Sequence, residues 1–153
     1  MYNVVTSIEI EGSSAQVWRA LTDFSSYPRW NPSIRSIEGF AAEGQILKVL
    51  FQPDGAMAMK FRAIVLAVVA EKEFRWVGRL LFSGLFAGEH YFLIESVTSD
   101  RVMLIQGEHF SGLLAPLLFW VLEKLNKAGF VAMNQALKAY VESGSKPRVA
   151  VKP

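Results

Sequence analysis

His90 and His109 are the only histidines of the 153-residue chain, and each follows a glycine and a glutamate, in AGEHYF at 87–92 and QGEHF at 106–110. An imidazole beside a carboxylate suits three kinds of chemistry: metal ligation, proton transfer, or an ion pair joining two strands. The chain has no cysteine, so a zinc site would need both Glu-His pairs to converge. Convergence depends on which strands carry the pairs and toward which face each side chain points.

A strand sends alternate side chains to opposite faces, so charged positions mark the wet one. Over 73–80, Arg75 and Arg79 place Val77 outside and Phe74, Trp76, Gly78 and Leu80 inside. Over 88–97, Glu95 places Glu89, Tyr91 and Leu93 outside and His90, Phe92 and Ile94 inside. The stretch 101–110 is mostly apolar on both faces; with Arg101 outside, Val102, Leu104, Gln106, Glu108 and Phe110 point inward. A three-residue loop at 98–100 then opposes His90 to Glu108 on the inner face and Glu89 to His109 on the outer, about 5 Å apart at Cβ. A two-residue loop would break that pairing.

The two pairs therefore lie on opposite faces and form no four-ligand site, and neither a metal nor a cofactor is expected. Inward His90 and Glu108 are the candidate polar station, either anchoring a hydroxyl or carbonyl or passing a proton. The plain alternative is a buried hydrogen bond between two strands. A carboxylate favours the charged imidazole while burial opposes it, and that competition sets the pKa.

The elements that must position these residues are legible from periodicity and turn chemistry. Residues 2–10 read as a strand. Ser13-x-x-Gln16 is a capping box opening a short helix with Val17, Trp18, Leu21 and Phe24 on one side. Pro28 suits the first turn of a second short helix and Pro32 stops it. Strands follow at roughly 34–40, 44–52, 58–71, 73–82, 88–97 and 101–110, with Pro53-Asp54-Gly55 as a strong turn and Ser99-Asp100 as a weaker one. From about 113 to 143 the period becomes helical, with Leu118, Leu122, Leu125, Gly129, Ala132, Met133, Ala136, Leu137 and Tyr140 on the apolar stripe and Glu123, Lys127, Asn134 and Lys138 off it. The loop at 83–88 is expected to expose Leu85 and Phe86 as a lid or dimer contact, and Trp18 and Trp120 to lie in core or interface.

Composition narrows the function classes. The absence of cysteine removes disulfides, thiolate zinc sites and cysteine nucleophiles. The net charge of +2 comes from scattered Lys and Arg with no dense basic stripe, so nucleic acid is not an expected partner. No apolar run approaches the roughly 20 residues that span a bilayer, and no integral membrane association is expected. The first residues carry no export signal, which points to the cytoplasm. Apolar residues at 52% and a mean hydropathy of +0.26 exceed what a packed core needs, and a greasy cavity or a homodimer interface would absorb the excess. GxSxG, Walker, GxGxxG and HExxH motifs are absent.

VWRALTDFSSYPRWNP at 17–32, a β-meander, and the closing GFVAMNQALKAYVE at 129–142 together resemble the SRPBCC superfamily, the START-like helix-grip group that includes polyketide cyclase/dehydrase and lipid-transport families. FRWVGRLLFSGLFAGEHYF and GEHFSGLLAPLL look like a bacterial branch of it, and the resemblance covers nearly the whole chain. It implies an α+β helix-grip fold: a seven-stranded curved antiparallel sheet wrapped around a long C-terminal helix, with two short helices after the first strand and an apolar cavity between sheet and helix. Residues 1–144 would form one ligand-binding domain and 145–153 a flexible tail. Trp30 and Asn31 would look over the cavity mouth, with a core anchor for the second short helix as the more common role of a tryptophan placed like Trp30. Trp76, His90, Phe92, Gln106, Glu108 and Phe110 would line it from the sheet, and Gly129 and Met133 from the helix. Three functions fit: a carrier or sensor of a hydrophobic or aromatic small molecule or lipid, a cyclase or dehydratase using His90 with Glu108, or a dimerisation module whose cavity is filled by its own side chains.

Overall fold

The computed structural model describes residues 2–80 and 82–145. Of the tail expected at 145–153, all but Ser145 lies outside the described residues. The elements in chain order are β1 (Tyr2–Glu11), α1 (Ser14–Thr22), a 3-10 turn (Phe24–Ser26), α2 (Tyr27–Trp30), β2 (Ile34–Glu38), β3 (Ile46–Phe51), β4 (Met59–Val69), β5 (Glu73–Leu80), β6 (Phe86–Thr98), β7 (Arg101–Ser111) and α3 (Ala115–Ser145). The seven strands form one antiparallel sheet in the order β1-β7-β6-β5-β4-β3-β2, and α3 lies across its concave face, chiefly against β1.

Local chemistry accounts for these elements. Ser13 caps α1 as expected: its hydroxyl accepts from Gln16 N at 3.2 Å and the Gln16 side chain accepts from Ser13 N at 2.8 Å. Pro28 sits in the first turn of α2, and Asn31, forced toward extended backbone by Pro32, ends it. Gly112 turns β7 into α3 at φ 103°, a left-handed conformation that L side chains avoid, with the Leu85 carbonyl close against it.

The register of β6 against β7 opposes His90 to Glu108 and Glu89 to His109, by a route different from the expected loop. Thr98 pairs with Arg101, so the turn holds only Ser99 and Asp100, and a bulge between Ser96 and Thr98 supplies the extra residue. The short turn and the bulge together have the effect of a three-residue loop.

Alternation also placed the inner face correctly. Phe74, Phe92, Leu104, Val102 and Leu47 are fully buried, together with Val17 and Leu21 of α1 and Leu137 of α3. A second cluster, formed by Val4, Phe110, Ala115 and Phe130, holds the first half of α3 to the end of the sheet.

The apolar stripe expected for α3 is corrected. Phe130, Met133, Asn134, Leu137 and Val141 are buried, while Leu125 is 65% exposed and Ala132 is exposed. Over 115–122 the helix is apolar on all sides, so periodicity there cannot select a face. Asn134 is drawn inward by a hydrogen bond to Thr6 Oγ1 at 2.9 Å. Gly129 faces open space, with no atom within 4 Å of where a Cβ would stand. Close packing on the sheet does not explain it. Gly129→Ala should therefore stabilise the fold by about 1 kcal/mol, raising Tm by about 2–4 °C in thermal denaturation; a lower Tm would show a contact at that position.

Candidate functional site

Midway along the inner face, β5, β6 and β7 bring Trp76, His90, Phe92, Gln106 and Glu108 together beneath Phe130 and Met133 of α3. The His90 ring stacks on Trp76 at 5.0 Å and 17° and meets Phe92 and Phe130 edge-on at 4.8 and 5.0 Å. Boxed by three aromatic rings, His90 is buried, and desolvation lowers its pKa to about 3. Its Nε2 lies 3.1 Å from Gln106 Nε2, which also donates to Met133 Sδ at 3.2 Å. With the Gln106 amide in this orientation its nitrogen faces two acceptors, and the matching neutral imidazole carries its proton on Nδ1.

That orientation leaves Gln106 Oε1 buried without a donor. A second orphan is linked to Gln106 through Thr6. Thr6, opposite Gln106 on β1, donates its hydroxyl to the main-chain carbonyl of Gln106 at 3.3 Å and accepts from Asn134 Nδ2, which leaves Asn134 Oδ1 without a donor as well. Gln106 is 0% and Asn134 2% exposed. A buried acceptor without a donor costs about 1–3 kcal/mol.

Neither of the opposed Glu-His pairs is hydrogen-bonded. Glu108 Oε2 accepts from Asn126 Nδ2 of α3 at 3.2 Å, while Oε1 lies over Gly88, where any Cβ would collide with it. Burial raises the Glu108 pKa to about 7. On the outer face Arg75 takes Glu89 at 2.6 Å and Glu73 at 2.7 Å, with its guanidinium 4.9 Å from the centre of the Tyr91 ring. His109 Nδ1 is left buried without a partner. The recurring Gly-Glu-His-aromatic sequence now has a physical reason. The two copies pair antiparallel, so Gly88 opposes Phe110 and Gly107 opposes Tyr91, and the Tyr91 ring lies where a Cβ on Gly107 would stand. Each glycine makes room for a side chain carried by the other copy.

Of the remaining candidates, Phe110 lies at the side of this group in the second cluster, stacked on Phe86 at 5.7 Å. Trp30 and Asn31 do not join it. Trp30 is a core anchor, donating to Ser26 Oγ at 3.1 Å and stacked on Tyr140 at 6.2 Å. Asn31 Oδ1 accepts from Ser33 N and Ile34 N at 2.9 and 2.7 Å and so holds the start of β2. Leu85 and Phe86 are half-buried, contrary to the expectation for their loop; Phe82 beside it is an exposed large apolar residue, at 76%. Thr6, Asn126, Phe130 and Asn134 were not anticipated. Thr6 shares the inward parity of Val4, Ile8 and Ile10, and Asn134 stands beside Met133 within an apolar helix, which were the available signals.

Two open depressions of about 550 and 490 Å³ lie outside the space between sheet and helix, one along Lys124, Lys127, Ala128, Val131, Ala132 and Gln135, the other across β2–β4. Where a cavity between sheet and helix was expected, the rings of Trp76, His90, Phe92 and Phe130 pack against one another. Among the described residues no group of three or more His, Asp or Glu is placed to hold a metal, and no helix is long and apolar enough to cross a membrane.

Residues 1–142 match the family described as polyketide cyclase / dehydrase and lipid transport. No curated protein matches the chain. Among solved structures, the Zhui aromatase/cyclase from Streptomyces sp. R1128 superposes with a TM-score of 0.77 at 15% identity, over 97% of this chain and 98% of that one. A START superfamily protein from Mycobacterium smegmatis gives 0.76 at 20%, over 94% and 99%. The di-domain ARO/CYC BexL from the BE-7585A biosynthetic pathway gives 0.79 at 11%, over 96% of this chain and 48% of that protein, so the chain spans about half its length. At these identities the likeness is one of fold.

The two buried titrations oppose each other. Native His90 stays neutral where an unfolded histidine, with pKa 6.5, takes a proton, so its contribution falls as pH drops from 6.5 toward 3. Native Glu108 keeps a proton that the unfolded chain releases at 4.5, so its contribution falls as pH rises from 4.5 to 7. Between 4.5 and 6.5 the slopes offset. Thermal denaturation across that window should show His90→Gln losing Tm with rising pH and Glu108→Gln gaining it; parallel profiles would contradict the two assignments.

Proposed function

The chain belongs to the polyketide cyclase/dehydrase and lipid transport family, and from that premise we propose that it binds a neutral, hydroxyl-bearing apolar molecule between the sheet and α3, as a carrier or sensor without turnover. The supporting observation is the pair of buried oxygens, Gln106 Oε1 and Asn134 Oδ1, that have no donor. A guest hydroxyl would supply one. The rings of Trp76, Phe92 and Phe130 provide apolar contact, at roughly 25 cal/mol per Å² buried.

Charge selects against an acidic guest. No Lys or Arg is buried among the described residues, and the inner wall carries Glu108. A carboxylate would enter without a counter-ion and beside like charge or its proton. Turnover through His90 is disfavoured for a related reason: an imidazole with a pKa near 3 is a weak proton acceptor at neutral pH.

Access requires α3 to move, because its residues close the box. The second half of the helix, with Met133, Leu137 and Val141, belongs to the main core, whereas Ala115 and Phe130 belong to the smaller cluster. Phe130, which belongs to the smaller cluster, is therefore the ring that moves aside to open the box.

Naphthalene, 2-naphthol and 2-naphthoate share one apolar body and differ in the group presented to these oxygens. Tryptophan quenching should show 2-naphthol bound about tenfold more tightly than naphthalene, the worth of one hydrogen bond, with 2-naphthoate weakest. Gln106→Leu should reduce the naphthol preference while naphthalene still binds. Failure of all three to bind, or a preference for the anion, would refute the reading.

A further inference from the structure

We propose that the corner where the β5–β6 loop meets the start of α3 docks onto the surface of an anionic lipid bilayer. Leu113 N donates to Gly84 O and Leu114 N to Leu85 O, each at 3.0 Å, so the two segments form one edge of the molecule. Along it stand Phe82 at 76% exposure, Leu113 at 80%, Leu117 at 74%, Trp120 at 77% and Val121 at 63%. A soluble monomer rarely leaves a contiguous patch of that kind uncovered.

Helix geometry orders the chemistry along α3. Leu117, Trp120 and Val121 project outward near its start, and Lys124 and Lys127 follow on the same side. Their Cα atoms lie about 6 and 10 Å beyond that of Trp120 along the axis. With α3 tilted so that its first turns enter the boundary between headgroups and acyl chains, this axial offset leaves the two ammonium groups on the headgroup side. Tryptophan is enriched at that boundary.

Charge decides between a bilayer and a second copy of the chain. Between Gly112 and Val131 the exposed charged residues are Lys124 and Lys127, and neither forms a salt bridge among the described residues. Glu123 lies on the flank, partly buried. A second copy laid on this face would bring four exposed lysines together against the partly buried Glu123 of each copy, whereas an anionic headgroup layer answers the lysines directly.

Flotation of the purified protein with phosphatidylcholine vesicles, with and without phosphatidylserine, tests the inference. The protein should float with phosphatidylserine vesicles, with a blue shift of tryptophan emission that is lost in Trp120→Phe. Leu117→Ser with Trp120→Ser, and separately Lys124→Glu with Lys127→Glu, should each weaken binding about tenfold or more. These side chains are exposed, so the unfolding curves of both double variants should match wild type. The inference is overturned if wild type does not float, if the lysine variant floats as well as wild type, or if sedimentation shows a dimer that the Leu117 and Trp120 changes dissociate.

Discussion

The pairing register of β6 with β7 is the constraint on which the inner face depends. It puts His90 opposite Glu108, Phe92 opposite Gln106 and each Gly-Glu-His copy against the other. A slip of one residue would turn every side chain of one strand to the other face. Gln106 and Glu108 would then meet solvent and His109 would enter the aromatic box. Glycine guards against this, because Gly88 and Gly107 stand where the Glu108 carboxylate and the Tyr91 ring need room. A slipped strand would set those groups against residues that have a Cβ.

Desolvation, rather than pairing, governs the electrostatics inside. An imidazole and a carboxylate directly across two strands suggest an ion pair. Burial instead holds His90 neutral and favours the proton on Glu108, and each turns to an uncharged amide, Gln106 and Asn126 respectively. Below about pH 7 the site is thus an uncharged network with spare acceptor capacity, which suits the proposed guest that is uncharged and donates. Where charge can keep contact with water, pairing prevails, as in the Arg75 fork between Glu73 and Glu89 on the outer face.

Much of this was legible in the sequence, and the reasons for the rest are physical. Period-two alternation is local, so Phe74, Trp76, His90 and Gln106 could be assigned to the inner face from Arg75, Glu95 and Arg101 alone. The α1 cap and Pro28 were equally local. Hydrogen-bond partners between distant elements were not legible, because the choice of Glu108 for Asn126, or of Asn134 for Thr6, depends on how α3 rotates on the sheet. That rotation is hidden where the helix is apolar all round. Trp30 and Asn31 illustrate a second limit: position near an expected mouth does not distinguish a residue that lines it from one that anchors its rim.

Family membership establishes the scaffold, while structures at 11–20% identity leave the inner side chains free to differ. The reading of this chain therefore rests on the protonation state at its centre. The ¹⁵N chemical shifts of the His90 imidazole measure it directly. At about pH 5, where an ordinary histidine is mostly charged, the ring should be neutral, with the proton on Nδ1 and a bare Nε2. An imidazolium at that pH, or a proton on Nε2, would contradict it.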